Sequence, residues 1–89
     1  MVKHTKQSLR AQAHHMKPVI IIGTKGLTDA VIEETNIALI AHELIKVKIN
    51  GIDKAEKQDI AHAMCEALNA EFIQLIGNIA IIYRKNDDK

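Results

Sequence analysis

The chain has 89 residues, 47% of them apolar, and a formal net charge of +1, which suits one small domain with a single core and no surplus area. No apolar run approaches the roughly 18 residues of a membrane span, and the N-terminus leads into polar residues instead of a signal core, so the expectation is a soluble, cytoplasmic single domain over 1–89 with an ordered core of about 5–85. Cys65 is the single cysteine, which excludes an intrachain disulfide and a cysteine-based metal cage.

Thr5 can cap a first helix running to about His15, with Leu9, Ala13 and Met16 on one face. Pro18 stops the helix and suits the start of a strand. Val19 to Ile22 is apolar and β-branched at every position, which predicts a strand covered on both faces. Gly23-Thr24-Lys25-Gly26 then forms a tight turn, after which Thr28 caps a second helix that ends near Ala41 or His42. Asp29 places a favourable charge in its first turn. Its inward stripe is Val31, Ile32, Thr35, Ala38 and Leu39, while Ile37 and Ile40 fall off that stripe.

Leu44 to Asn50 alternates, with Ile45, Val47 and Ile49 on one side and Lys46 and Lys48 on the other, a strand with a basic outer face. Asn50-Gly51 turns the chain, and Asp53 with Glu56 forms a capping box for a third helix to about Asn69. Cys65 shares one apolar face of that helix with Ile60, Ala61, Met64 and Leu68, where a thiol acts as a small hydrophobe. Glu71 to Ile76 and Ile79 to Arg84 flank Gly77-Asn78 as the arms of a tight hairpin. The order α-β-α-β-α-β-β predicts an α/β domain with one mixed four-stranded sheet and three packed helices. Crossover helices make the early strands roughly parallel, and the hairpin adds an antiparallel pair.

Charge is uneven along this chain. Residues 1–28 carry Lys3, Lys6, Arg10, Lys17 and Lys25 and no acid, a charge of +5, whereas the other 61 residues hold seven basic against eleven acidic side chains, a charge of −4. Such asymmetry points to a polyanion-facing end. Lys3, Lys6, Arg10, Lys17, Lys25, Lys46, Lys48, Arg84 and Lys85 make one patch if the first helix, the loop and the strand face lie together; taken singly, each lysine also reads as ordinary solvated surface. The G-x-x-G turn between strand and helix has the parts of a backbone-phosphate clamp, namely two glycines, a helix start with unpaired N–H groups and Lys25 at the tip. A tight connection needing glycine only for its own geometry is the alternative.

Other chemistry finds little support. The P-loop spacing G-x-x-x-x-G-K-[ST] and the dinucleotide G-x-G-x-x-G are both missing. Phe72 and Tyr83 are the only aromatics, so no base-stacking platform exists and recognition should rest on backbone and shape. His4, His14, His15, His42 and His62 lack metal-ligand spacing, and Ser8, the only serine, lacks a glycine-flanked elbow. No catalytic residue, metal or cofactor is expected.

The ordered string Lys6-Gln7, Lys17-Pro18, the strand into Gly23-Thr24-Lys25-Gly26-Leu27-Thr28, then His42-Glu43-Leu44-Ile45-Lys46-Val47-Lys48 and Ile76-Gly77 with Tyr83-Arg84 resembles the stand-alone CRM domain proteins of the YhbY type. The likeness runs from about Lys6 to Lys85. It implies a fold similar to the C-terminal domain of translation initiation factor three and an RNA-binding, non-enzymatic role on precursors of the large ribosomal subunit in bacteria. It also implies RNA contacts from Gly23, Thr24, Lys25 and Gly26, with Lys17, Arg10, Lys6, Lys46, Lys48 and Arg84 around them. Ribosomal RNA is the implied partner, with contacts to ribosomal proteins besides, and neither a membrane nor a small-molecule substrate is expected. The rival function is a protein-interaction module docking on a ribosomal protein or assembly factor through Ile37 and Ile40.

Overall fold

The computed structural model describes residues 5–23, 25–51 and 53–86; Lys3, Thr24 and Lys89 lie outside them. The elements in chain order are α1 (Lys6–Ala13), β1 (Ile20–Ile22), α2 (Asp29–His42), β2 (Leu44–Ile49), α3 (Lys54–Leu68), β3 (Glu71–Ile76) and β4 (Ile79–Tyr83). Each helix begins on a side chain that satisfies an otherwise unpaired donor of the first turn. Thr5 Oγ1 accepts from the Ser8 N–H at 3.0 Å, Thr28 Oγ1 from Val31 at 3.2 Å, and Asp53 Oδ1 from Glu56 at 2.8 Å. At the end of α3 Asn69 turns left-handed (φ 55°), and the Ala70 N–H returns to the Cys65 carbonyl at 2.8 Å.

The sheet has the order β1-β2-β4-β3. β1 runs parallel to β2, while β4 lies antiparallel to both of its neighbours. The hairpin turn has Gly77 at φ 58° followed by Asn78 outside the left-handed region, which fits a turn with glycine first.

Alternation along the central strands feeds two cores on opposite faces. Ile22, Ile45, Val47, Ile49, Ala80 and Ile82 join Leu39, Ala61, Met64, Cys65 and Leu68 beneath α2 and α3. Leu44, Ile73 and Ile81 pack instead with Leu9 and Ala13 of α1, so α1 covers the other face. A bulge between Phe72 and Gln74 places Ile73 in that second cluster while Phe72 and Leu75 stay with the first. No helix among the described residues is long and apolar enough to cross a membrane.

Two expectations need correction. α1 ends at Ala13 instead of His15, because the Met16 N–H bonds back to the Ala13 carbonyl at 2.9 Å and turns the chain toward Pro18. β1 is not covered on both faces: Ile20 and Ile22 are buried, but Val19 is 50% and Ile21 63% exposed. The cause is position, since β1 sits at the sheet edge and α1 packs over β2, β4 and β3.

Candidate nucleic-acid interface

The glycine turn leaves β1 where the parallel pair ends. Ile22 stands opposite Ile49, and the Asn50 N–H donates to the Ile22 carbonyl at 3.0 Å. The Gly26 N–H closes the turn on the Gly23 carbonyl at 3.0 Å, and Leu27 packs against the core just before the capped start of α2. The two glycines have different reasons to be there. Gly26 holds φ +73°, a conformation that L side chains adopt only at a cost. Gly23 lies outside that region, and a Cβ built on it would meet no described atom within 4 Å. Among the described residues nothing crowds a side chain at 23, and Gly23 is exposed. Lys25 is exposed at the tip.

Three further segments meet at the same end of the sheet. The Ile49 N–H donates to the Asn78 carbonyl at 2.6 Å, which brings the β3–β4 turn beside the end of β2. Lys57 then bridges: its Nζ donates to Asn78 Oδ1 at 2.7 Å while its stem lies over Gly51, close enough that a Cβ there would meet Lys57 Cγ at 2.8 Å. Lys57 is not among the residues that the sequence singles out. A signal was available, because a lysine in the opening turns of a helix opposes the macrodipole and calls for another partner.

The outer sheet face carries the two expected strand lysines. Lys48 is exposed and stands in register with Ile21 and Ile79; Lys46 is half-buried beside Ile81, and its carbonyl accepts from the Val19 N–H at 3.0 Å. α1 lies over this same face, so its exposed Lys6 and Arg10 share the side with both lysines. Lys17 is exposed where the chain enters β1, at the end of the strand remote from the glycine turn. Gly23, Lys25, Gly26 and Lys48 are thus brought together, with Lys46, Lys17, Lys6 and Arg10 further along, and Thr24 lies outside the described residues.

Arg84 goes elsewhere. It follows Tyr83, the partner of Leu44, so it lies at the far end of β2, five residue steps or about 17 Å from the glycine turn. Its N–H donates to the Glu43 carbonyl at 2.9 Å, and its guanidinium donates to the carbonyls of Leu68 at 3.1 Å and Asn36 at 3.4 Å. Asn86 adds bonds from Nδ2 to the Ile40 carbonyl at 2.6 Å and from its N–H to Glu43 Oε2 at 2.8 Å. This segment ties down the C-terminal ends of α2 and α3. Cys65 is equally inward: burial pushes its thiol from 9.0 up to about 11, which leaves it protonated and unreactive at neutral pH.

Comparisons with known proteins agree with one another. The family model of the CRS1 / YhbY (CRM) domain matches residues 1–84. A Haemophilus influenzae protein named "RNA-binding protein" is 43% identical over 83 residues, spanning 93% of this chain and 84% of its own length. A Pseudomonas aeruginosa protein named as a probable RNA-binding protein is 35% identical over 86 residues, with 97% and 83% covered. Among solved structures, the solution structure of a Staphylococcus aureus protein is similar with a TM-score of 0.84 at 33% identity, covering 92% of this chain and 85% of that one.

Proposed function

Because the chain belongs to the CRS1 / YhbY (CRM) domain family, we propose that it is an RNA-binding protein of the cytoplasm that acts without catalysis in assembly of the large ribosomal subunit. It holds precursor ribosomal RNA by the backbone. The Gly23–Gly26 turn carries this reading: Gly26 supplies the bend, and Gly23 leaves an open side that the fold does not use. A phosphate can approach that backbone closely, with Lys25 and Lys48 as cations and the N-terminal end of α2 behind. The names of the relatives support RNA as the partner. Lys6, Arg10, Lys17 and Lys46 extend the contact along the outer face, and Thr24 is a further RNA-contact residue of this reading.

Affinity for ribosomal RNA fragments, measured against salt concentration, tests the reading. Each phosphate neutralised adds about one to the slope of log affinity against log salt. Lys25→Glu should weaken binding and lower the slope by about one, and Gly23→Asp should weaken binding while the domain stays folded. If both variants stay folded and bind as the wild type does, the turn is not the clamp.

A further inference from the structure

The outer sheet face presents a row of side chains that α1 leaves uncovered. Ile21 of β1 stands opposite Lys48 of β2, Lys48 opposite Ile79 of β4, and Ile79 opposite Ile76 of β3, so all four point to one side. Ile21 is 63% and Ile76 57% exposed, and Ile79 is half-buried between its neighbours. With strands about 4.8 Å apart the row is about 14 Å long. It is the last row before the glycine turn, and Gly23, with its open side, comes two residues after Ile21.

Charge on this face selects the occupant. The next row, toward the middle of the sheet, runs Val19, Lys46, Ile81 and Gln74; neither row contains an acid. Acidic side chains enter only at the far end, where Glu71 pairs with Tyr83. An apolar surface studded with lysines and ending in a backbone-gripping turn suits a polyanion that also carries flat apolar faces. Unpaired nucleotides fit that description. Duplex RNA does not, because its base faces are stacked and hidden and it offers only phosphates, hydroxyls and edges.

We propose that the Ile21–Lys48–Ile79–Ile76 row is a base-docking surface, on which splayed bases of single-stranded RNA rest while the glycine turn and Lys48 hold the adjoining phosphates. This rests on the RNA-binding reading and adds to it a substrate class, unpaired RNA. It also accounts for exposed aliphatic side chains on the row in a chain without an aromatic platform: isoleucines supply apolar contact without sequence selection. The face is contiguous with the clamp, so one strand of RNA engages both.

The test uses the full chain in titrations with an unstructured RNA oligonucleotide of about twelve residues and with the blunt duplex of the same sequence. The expected result is single-strand affinity at least about tenfold above the duplex. The pair Ile21→Ser and Ile76→Ser, at exposed positions, should weaken single-strand binding about fivefold or more. Its salt slope should stay unchanged, because no phosphate contact is lost, whereas Lys48→Gln should lower that slope by about one. Equal affinity for strand and duplex overturns the proposal, as does wild-type single-strand binding by the double serine variant. The same holds if that variant binds naked RNA normally and loses only its association with subunit precursors, since the face would then serve a protein. RNA binding of neither form would instead overturn the RNA-binding reading itself.

Discussion

Replacing each glycine of the turn by alanine tests whether Gly26 serves the fold and Gly23 the proposed RNA contact. At Gly26 the backbone holds φ +73°, where an L residue costs about 1–2 kcal/mol. For a domain of this size each kcal/mol lowers the melting temperature by about 4–8 °C, so Gly26→Ala should melt roughly 4–16 °C below the wild type. At Gly23 φ lies outside the left-handed region and a Cβ meets no described atom beyond its chain neighbours within 4 Å. Alanine there removes freedom from the unfolded chain and should leave stability unchanged or raise it by up to about 1 kcal/mol. Binding should behave in the opposite sense. If the turn grips RNA by its backbone, a methyl group at 23 stands where a phosphate would come close, and Gly23→Asp adds a charge whose repulsion, about 1–3 kcal/mol at contact distances, corresponds to roughly five- to 150-fold in affinity. Scanning calorimetry gives the melting temperatures, and fluorescence anisotropy with labelled ribosomal RNA gives the affinities at fixed salt. A Gly23→Ala protein that melts as low as Gly26→Ala, or wild-type RNA binding by both Gly23→Ala and Gly23→Asp, would refute this division of roles.

Arg84→Ala should cost about 1–3 kcal/mol in urea unfolding, because it strips donors from the half-buried carbonyls of Leu68 and Asn36; RNA affinity of the folded fraction should be unaffected, and a selective loss of binding would show a second RNA contact there. Burial raises the Cys65 thiol to about 11, so below about pH 8, where thiols in both folded and unfolded chains are mostly protonated, wild-type stability carries no thiol penalty. As pH rises from about 9 to 11 the unfolded chain ionises first, and wild type should lose stability relative to Cys65→Ala over that window; parallel pH profiles of the two proteins would contradict it. Ile37 and Ile40 are 59% and 53% exposed on α2, so their joint replacement by lysine should leave the unfolding midpoint nearly unchanged and naked-RNA binding intact. Loss of subunit-precursor association in that variant would place a protein contact on α2.

Local physics made much of this domain legible from its sequence. Thr5, Thr28 and Asp53 cap the three helices because a short side chain oxygen reaches only the donors two or three residues ahead, an interaction written entirely in neighbouring residues. The same is true of the Gly77-Asn78 hairpin and of the alternation that sets Ile45, Val47 and Ile49 against Lys46 and Lys48. Tertiary structure alone decided the layers and the neighbours. Four isoleucine or valine positions in a row read as a doubly covered strand, yet strand order put β1 at an edge and left Val19 and Ile21 exposed. Arg84 reads as part of a basic patch in the sequence, yet the ends of α2 and α3 supply carbonyls for its guanidinium, and the hairpin turn supplies Lys57 with a partner 21 residues away. Periodicity and capping report on contacts a few residues apart, whereas strand order and the partner of a long cationic side chain depend on segments separated by tens of residues, and no local pattern encodes them.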